Sequence, residues 1–167
     1  PLLEQLVSGH IDAVIGRVGG SALQLPLNYK VLYTEPICFV ARPWHPLAGQ
    51  SNIDWAQLGD YDWIVWPTGT PIRSSIDHAL VDLGMMMPAN HVESGSMSAT
   101  VRMLQGSDMV GILSQRLADS FAKERQLVIL DLPKIEQKGS VGIFWRQNEP
   151  PSDTLEAFLG HLVEASR

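Results

Sequence analysis

Between residues 62 and 83 the pattern of apolar and polar positions changes period, from that of a strand to that of a helix. Residues 63–66, Trp-Ile-Val-Trp, are β-branched and aromatic and read as a buried strand. Pro67 has no N–H to give a sheet ladder, so the strand stops there. Thr68-Gly69-Thr70 is a short polar turn, and Pro71 suits a first helical position with Thr70 as its N-cap. Ile72, Ile76, Ala79, Leu80 and Leu83 then recur at helical spacing and mark one apolar face. A strand entering a helix through such a loop leaves backbone N–H groups free at its C-terminal edge. In open α/β sheets small ligands, and anions in particular, sit at that edge. The loop from Thr68 to Thr70, with Arg73 one turn on, therefore reads as one wall of a small-molecule pocket. A plain β–α connection accounts for the same residues without a ligand.

The flanking pattern extends this alternation. Leu2, Leu3, Leu6 and Val7 form a helical stripe closed by Gly9, and residues 11–16 read as a strand. Residues 29–34 and 37–41 read as strands interrupted at Glu35-Pro36. A proline-studded turn follows at 42–48, with Asn52 a candidate cap for a short helix over 54–58. Residues 91–93 form a short strand leading through Ser94-Gly95-Ser96 to a helix lined by Met97, Val101 and Leu104 and closed by Gly106. Residues 109–113 are a buried strand, Ser114 caps a helix, residues 127–130 are again strand, and 139–145 is a returning strand. After Pro150-Pro151, Ser152 caps a terminal helix striped by Leu155, Phe158, Leu159, Leu162 and Val163. The order predicts an α/β layer with a largely parallel sheet. Residues 41–137 form one lobe, and residues 1–40 with 138–167 form another, joined by two crossing strands that make a hinge.

Composition narrows the function classes. The 167 residues are 45% hydrophobic and 18% charged, enough to bury a core. A net charge of −6 and no Lys/Arg cluster exclude a chain that grips nucleic acid by itself. No apolar run spans a membrane. Cys38 is the single cysteine, in an apolar strand, which suits a core position and a reducing cytoplasm. Five scattered histidines offer no metal-ligand spacing, and no cofactor is implied. Ser74 and His78 lie one helical turn apart, but with no strained elbow or oxyanion partner an enzyme is not expected.

The ordered motifs resemble a known family. The leucine-rich helix followed by Gly-His-Ile-Asp-Ala-Val-Ile-Gly at 9–16, the strand Phe-Val-Ala-Arg at 39–42 leading to His-Pro-Leu-Ala at 45–48, and the glycine-bearing strand Met-Val-Gly-Ile-Leu at 109–113 are similar to segments of LysR-type transcriptional regulators. Ser114 stands where a proline often follows in that family. The stretch 66–73 looks closest to the subgroup that contains regulators of sugar uptake and of aromatic-acid breakdown.

The resemblance implies a cytoplasmic co-inducer-binding domain with the type 2 periplasmic-binding-protein-like α/β fold. Its two lobes would close on a small effector, a sugar or an aromatic or other organic acid, within a homodimer or tetramer. The winged helix-turn-helix would lie outside this chain, so DNA would be reached only through that absent domain, and no membrane partner is implied. The first lobe would be incomplete, lacking its first strand, first helix and second strand. Carried onto this sequence, the second-lobe wall falls on Thr68, Gly69 and Thr70 and on Ser94, Gly95, Ser96 and Met97. Arg73 would add a bidentate contact, and it reads equally as a surface arginine on a solvated helix face. Met97 also reads as core or rim. A free-standing solute-binding protein shares the fold and is the alternative.

Overall fold

The computed structural model describes residues 2–132, 138–147 and 150–165. The chain divides into two compact units, residues 1–35 with 139–167 and residues 36–138. Residue 137, the expected end of the second lobe, lies outside the described residues.

The first unit holds helix α1 (Leu2–Val7), strand β1 (Val14–Arg17), a 3-10 turn at Gly20–Gln24 and the opening part of strand β2 (Leu27–Ala41). The chain returns to it later. Gly9, at φ +79°, ends the α1 segment in the left-handed conformation that glycine adopts without strain. The returning strand β7 (Lys138–Arg146) lies between β1 and β2, antiparallel to β1 with Val14 opposite Phe144. Leu6, Val14, Ala22 and Phe144 form its buried cluster. Helix α6 (Asp153–Ala165) carries the expected stripe, and Ser152 Oγ accepts from the Leu155 N–H at 3.3 Å, yet none of its described residues is buried.

The second unit is built on the closing part of β2, then α2 (Trp55–Leu58), β3 (Trp63–Val65), α3 (Pro71–Asp82), β4 (His91–Glu93), α4 (Met97–Gln105), β5 (Val110–Ser114), α5 (Gln115–Lys123) and β6 (Val128–Ile129). Strand order runs β2-β5-β3-β4, with β6 on β2. β3 is parallel to both β4 and β5, whereas β2 is antiparallel to β5 and β6. Trp63 and Val65 point into one cluster with Ile72, Ile76 and Leu80 of α3, and Ile64 points into the other with Val101 and Leu104 of α4. The period-2 alternation of β3 thus buries both of its faces, as a central parallel strand requires. Each fully buried aliphatic side chain contributes about 1.5–3 kcal/mol.

Several local expectations shift. β2 runs unbroken through Glu35-Pro36. Pairing with β5 begins only at Ile37, so the N–H that Pro36 lacks costs that ladder nothing. The cap of α2 is Asp54, which accepts from the Ala56 N–H while its own N–H donates to Gln57 Oε1 at 2.8 Å. Asn52 instead takes φ +55° and donates its N–H to Asp131 Oδ2. The strand expected over 11–16 starts only at Val14. Ser114 sits at the N-cap of α5 without a side-chain capping bond.

The His-Pro-Leu turn has a physical anchor. His45 is 3% exposed, accepts the Leu47 N–H at Nδ1 (3.1 Å) and faces the Asp108 carbonyl with Nε2 (3.0 Å). An Nδ1 that accepts and an Nε2 that faces a carbonyl fix the neutral Nε2–H tautomer. The ring also rests against Tyr61, with centroids 4.5 Å apart.

Candidate functional site

Two loops leave the sheet at the same edge, because β3 and β4 are parallel and Val65 pairs with Glu93. The first loop is braced by its own threonines. Thr70 Oγ1 donates to the Pro67 carbonyl at 2.8 Å and accepts the Arg73 N–H at 3.4 Å, which makes it the N-cap of α3 with Pro71 inside the first turn. Gly69 takes φ +85°, so a side chain there would be strained. The second loop is serine-built. Ser94 N–H donates to the Val65 carbonyl at 2.9 Å, Ser94 Oγ donates to the Ser96 carbonyl at 3.2 Å, and Ser96 Oγ caps α4 by accepting the Ala99 N–H at 3.4 Å. A Cβ placed on Gly95 would sit 3.7 Å from Pro67 Cγ, so the two loops are in ordinary van der Waals reach of each other.

The expected wall residues do come together on this edge. Thr68, Gly69, Gly95 and Ser96 are exposed, and Thr70, Ser94 and Met97 are half-buried. Met97, Trp66, Ser94, Thr100 and Ile112 line a recess of about 10 Å³, room for roughly one water. Trp66 is held there by its indole N–H, which donates to the Ile112 carbonyl at 3.2 Å.

Arg73 lies elsewhere in this arrangement. It is 8% exposed, and its guanidinium is engaged by protein. Nε donates to Asp77 at 2.9 Å, and Nη1 donates to Glu93 Oε1 at 2.7 Å and to the Trp66 carbonyl at 3.2 Å. Burial works against its charge, but the bonds to Asp77 and then Glu93 prevail and hold the guanidinium above its ordinary pKa.

Sequence reasoning missed Glu93 and Asp77. Glu93 Oε1 accepts the Thr68 hydroxyl at 2.6 Å, and Oε2 accepts the Thr68 N–H at 3.2 Å. These Thr68 bonds, with that from Arg73, hold its carboxyl down to a pKa of about 2, well below the ordinary 4.5. A readable signal existed for Asp77, four residues after Arg73 on a helix. For Glu93 the signal is three-dimensional, since only the β3–β4 register sets it beside the loop.

Ser74 Oγ donates to the Thr70 carbonyl one turn back, and among the described residues no hydrogen bond joins it to His78. Among the described residues no three His, Cys, Asp or Glu side chains gather as metal ligands. No helix among them is long and apolar enough to cross a membrane.

The LysR substrate binding domain model matches residues 1–167. The chain belongs to that family. It is 29% identical over 166 residues to the HTH-type transcriptional regulator GbpR of Azospirillum brasilense, an alignment that covers 99% of this chain and 48% of that regulator. The chain spans about half the length of the curated relatives it matches first. Its fold superposes on the Synechocystis PCC6803 CcmR regulatory domain in complex with 2-PG, with a TM-score of 0.84 at 23% identity, covering 99% of this chain and 78% of that one. The effector binding domain of QuiR in complex with shikimate gives a TM-score of 0.80 at 17% identity, covering 99% and 76%. This LysR substrate-binding domain therefore has the mixed α/β, type 2 periplasmic-binding-protein-like fold of those effector domains.

Proposed function

We propose that this LysR substrate-binding domain senses a small effector at the paired loops 68–70 and 94–97, and that it does so for a DNA-binding transcription regulator. The supporting observation is that two capped helix starts, those of α3 and α4, leave adjacent parallel strands at one edge and gather exposed hydroxyl and backbone groups there. Thr68, Gly69, Thr70, Ser94, Gly95 and Ser96 supply polar contacts, and Met97 supplies an apolar rim. Arg73 holds the wall from behind by tying α3 to Glu93 and to the Trp66 carbonyl.

Effector binding acts by population shift. A ligand that prefers the closed lobes stabilises that state by its differential affinity, a coupling of about 1–3 kcal/mol in comparable systems. Residues 41–137 form the lobe that carries this wall, and residues 1–40 with 138–167 form the other. The whole regulator is a cytoplasmic homodimer or tetramer that works by binding rather than catalysis. The effector belongs among sugars or aromatic and other organic acids.

A thermal-shift panel of such compounds on the full-length protein tests this reading, because a ligand that binds only the folded state raises the midpoint. Thr70→Val and Ser96→Ala then weaken binding of the compound that shifts. Each also removes an N-cap worth about 1 kcal/mol, so affinity rather than midpoint is the readout. Unchanged affinity in both variants would place the site elsewhere.

A further inference from the structure

We propose that Glu93 sets the charge selectivity of this site, turning away anions and favouring a neutral, polyhydroxylated ligand. The inference rests on the effector-site reading above and narrows its ligand class.

A pair of helix starts at a sheet edge ordinarily invites an anion. Here an internal carboxylate already occupies the loop that leads into the first of them. Glu93 takes both the hydroxyl and the N–H of Thr68, the first residue of the loop. In the first turn of α3, Pro71 has no N–H and the Arg73 N–H is given to Thr70 Oγ1. The cation behind the wall is also engaged, since Arg73 contacts two carboxylates, Asp77 and Glu93, and the three side chains together carry a net charge of −1.

An incoming carboxylate or phosphate would approach Glu93, which is 38% exposed, and meet like charge, with the neighbouring Arg73 guanidinium already committed to protein carboxylates. A sugar or polyol meets a different surface. Its hydroxyls can donate to Glu93 Oε2 and to the hydroxyl oxygens of Thr70 and Ser94, whose own protons go to the Pro67 and Ser96 carbonyls, and can exchange hydrogen bonds with Ser96 Oγ. A ligand hydroxyl can donate, which an ionised carboxylate cannot, and so it suits a wall whose free capacity at Glu93, Thr70 and Ser94 is for accepting. A partly desolvated carboxylate beside a bound anion costs affinity that a neutral ligand does not lose.

The test is calorimetric titration of the full-length protein and of Glu93→Gln with two probe sets: the neutral sugars glucose, galactose and arabinose, and the anions benzoate and shikimate. Glutamine keeps an acceptor for Thr68 while removing the charge. The expected result is binding of at least one sugar by the wild type, weak or no binding of the acids, and at least tenfold tighter binding of an acid by Glu93→Gln. Asp77→Asn, which leaves the Thr68–Glu93 contacts in place, should change acid affinity less than Glu93→Gln does. Acid binding by the wild type that is lost in Thr70→Val or Ser96→Ala would overturn the selectivity and leave the effector site standing. Binding of any probe that ignores Thr70→Val and Ser96→Ala would remove the site reading itself. A Glu93→Gln protein that still melts cooperatively yet gains no acid affinity also overturns the proposal.

Discussion

Thr68 gives both its side-chain hydroxyl and its backbone N–H to one carboxylate, that of Glu93, at 2.6 Å and 3.2 Å. The contact locks the end of β4 to the loop after β3. It makes the loop's geometry depend on a charge, because the hydrogen bonds favour the ionised form.

That dependence predicts a pH effect. The folded-state pKa of Glu93, about 2, lies below the ordinary 4.5. The lowered value means that ionised Glu93 stabilises the fold above about pH 4.5, and this stabilisation is lost as pH falls from there toward 2. Urea melts between pH 5 and 2 should show a steeper loss of stability for wild type than for Glu93→Gln. Equal slopes would contradict the assignment.

Arg73 is buried and serves three acceptors, one on α3, one on β4 and one in the loop after β3. Arg73→Lys keeps the charge but lacks the planar fork that reaches them together. A loss of about 1–3 kcal/mol in urea unfolding is expected, moderated because Asp77 and Glu93 are partly exposed. Effector affinity in Arg73→Lys should fall less than in Ser96→Ala.

Gly111 is small because Leu104 leaves no room. A Cβ there would lie 2.8 Å from Leu104 Cδ1 and 3.4 Å from Val40 Cγ2. Leu104 is fully buried, so Gly111→Ala forces a rotamer change in a packed core and should cost about 1–3 kcal/mol. A lowered urea midpoint with an unchanged slope is the expected signature.

His45 bonds at both ring nitrogens inside the turn after β2. His45→Ala leaves the Leu47 N–H and the Asp108 carbonyl without that partner and should cost about 2–4 kcal/mol in equilibrium unfolding. His45→Gln, which can still reach one of the two, should lose less.

Much of this was legible in the chain. Thr70 before Pro71, and Ser96 before Met97, announced two helix starts, because capping is a local contest between neighbours. The apolar run 63–66 announced a buried strand, which the structure ends at Val65. Long-range effects were less legible. Pro36 looked like a break, yet β2 continues through it because the β5 ladder begins one residue later. Asn52 looked like the cap of α2, but the reciprocal bond with Gln57 makes Asp54 the cap. Arg73 looked free to meet a ligand because its partner Glu93 lies 20 residues away in sequence and is brought near only by the sheet register.

Hydrogen exchange read by mass spectrometry, on the full-length protein with and without a compound that raises its melting midpoint, tests the central claim most directly. Slowed exchange concentrated in peptides covering residues 66–75 and 93–100 is the predicted result, because ligand contact there would order both loops. Protection confined to peptides from α5 or α6, with those two loops unchanged, would contradict the assignment of this edge as the effector wall.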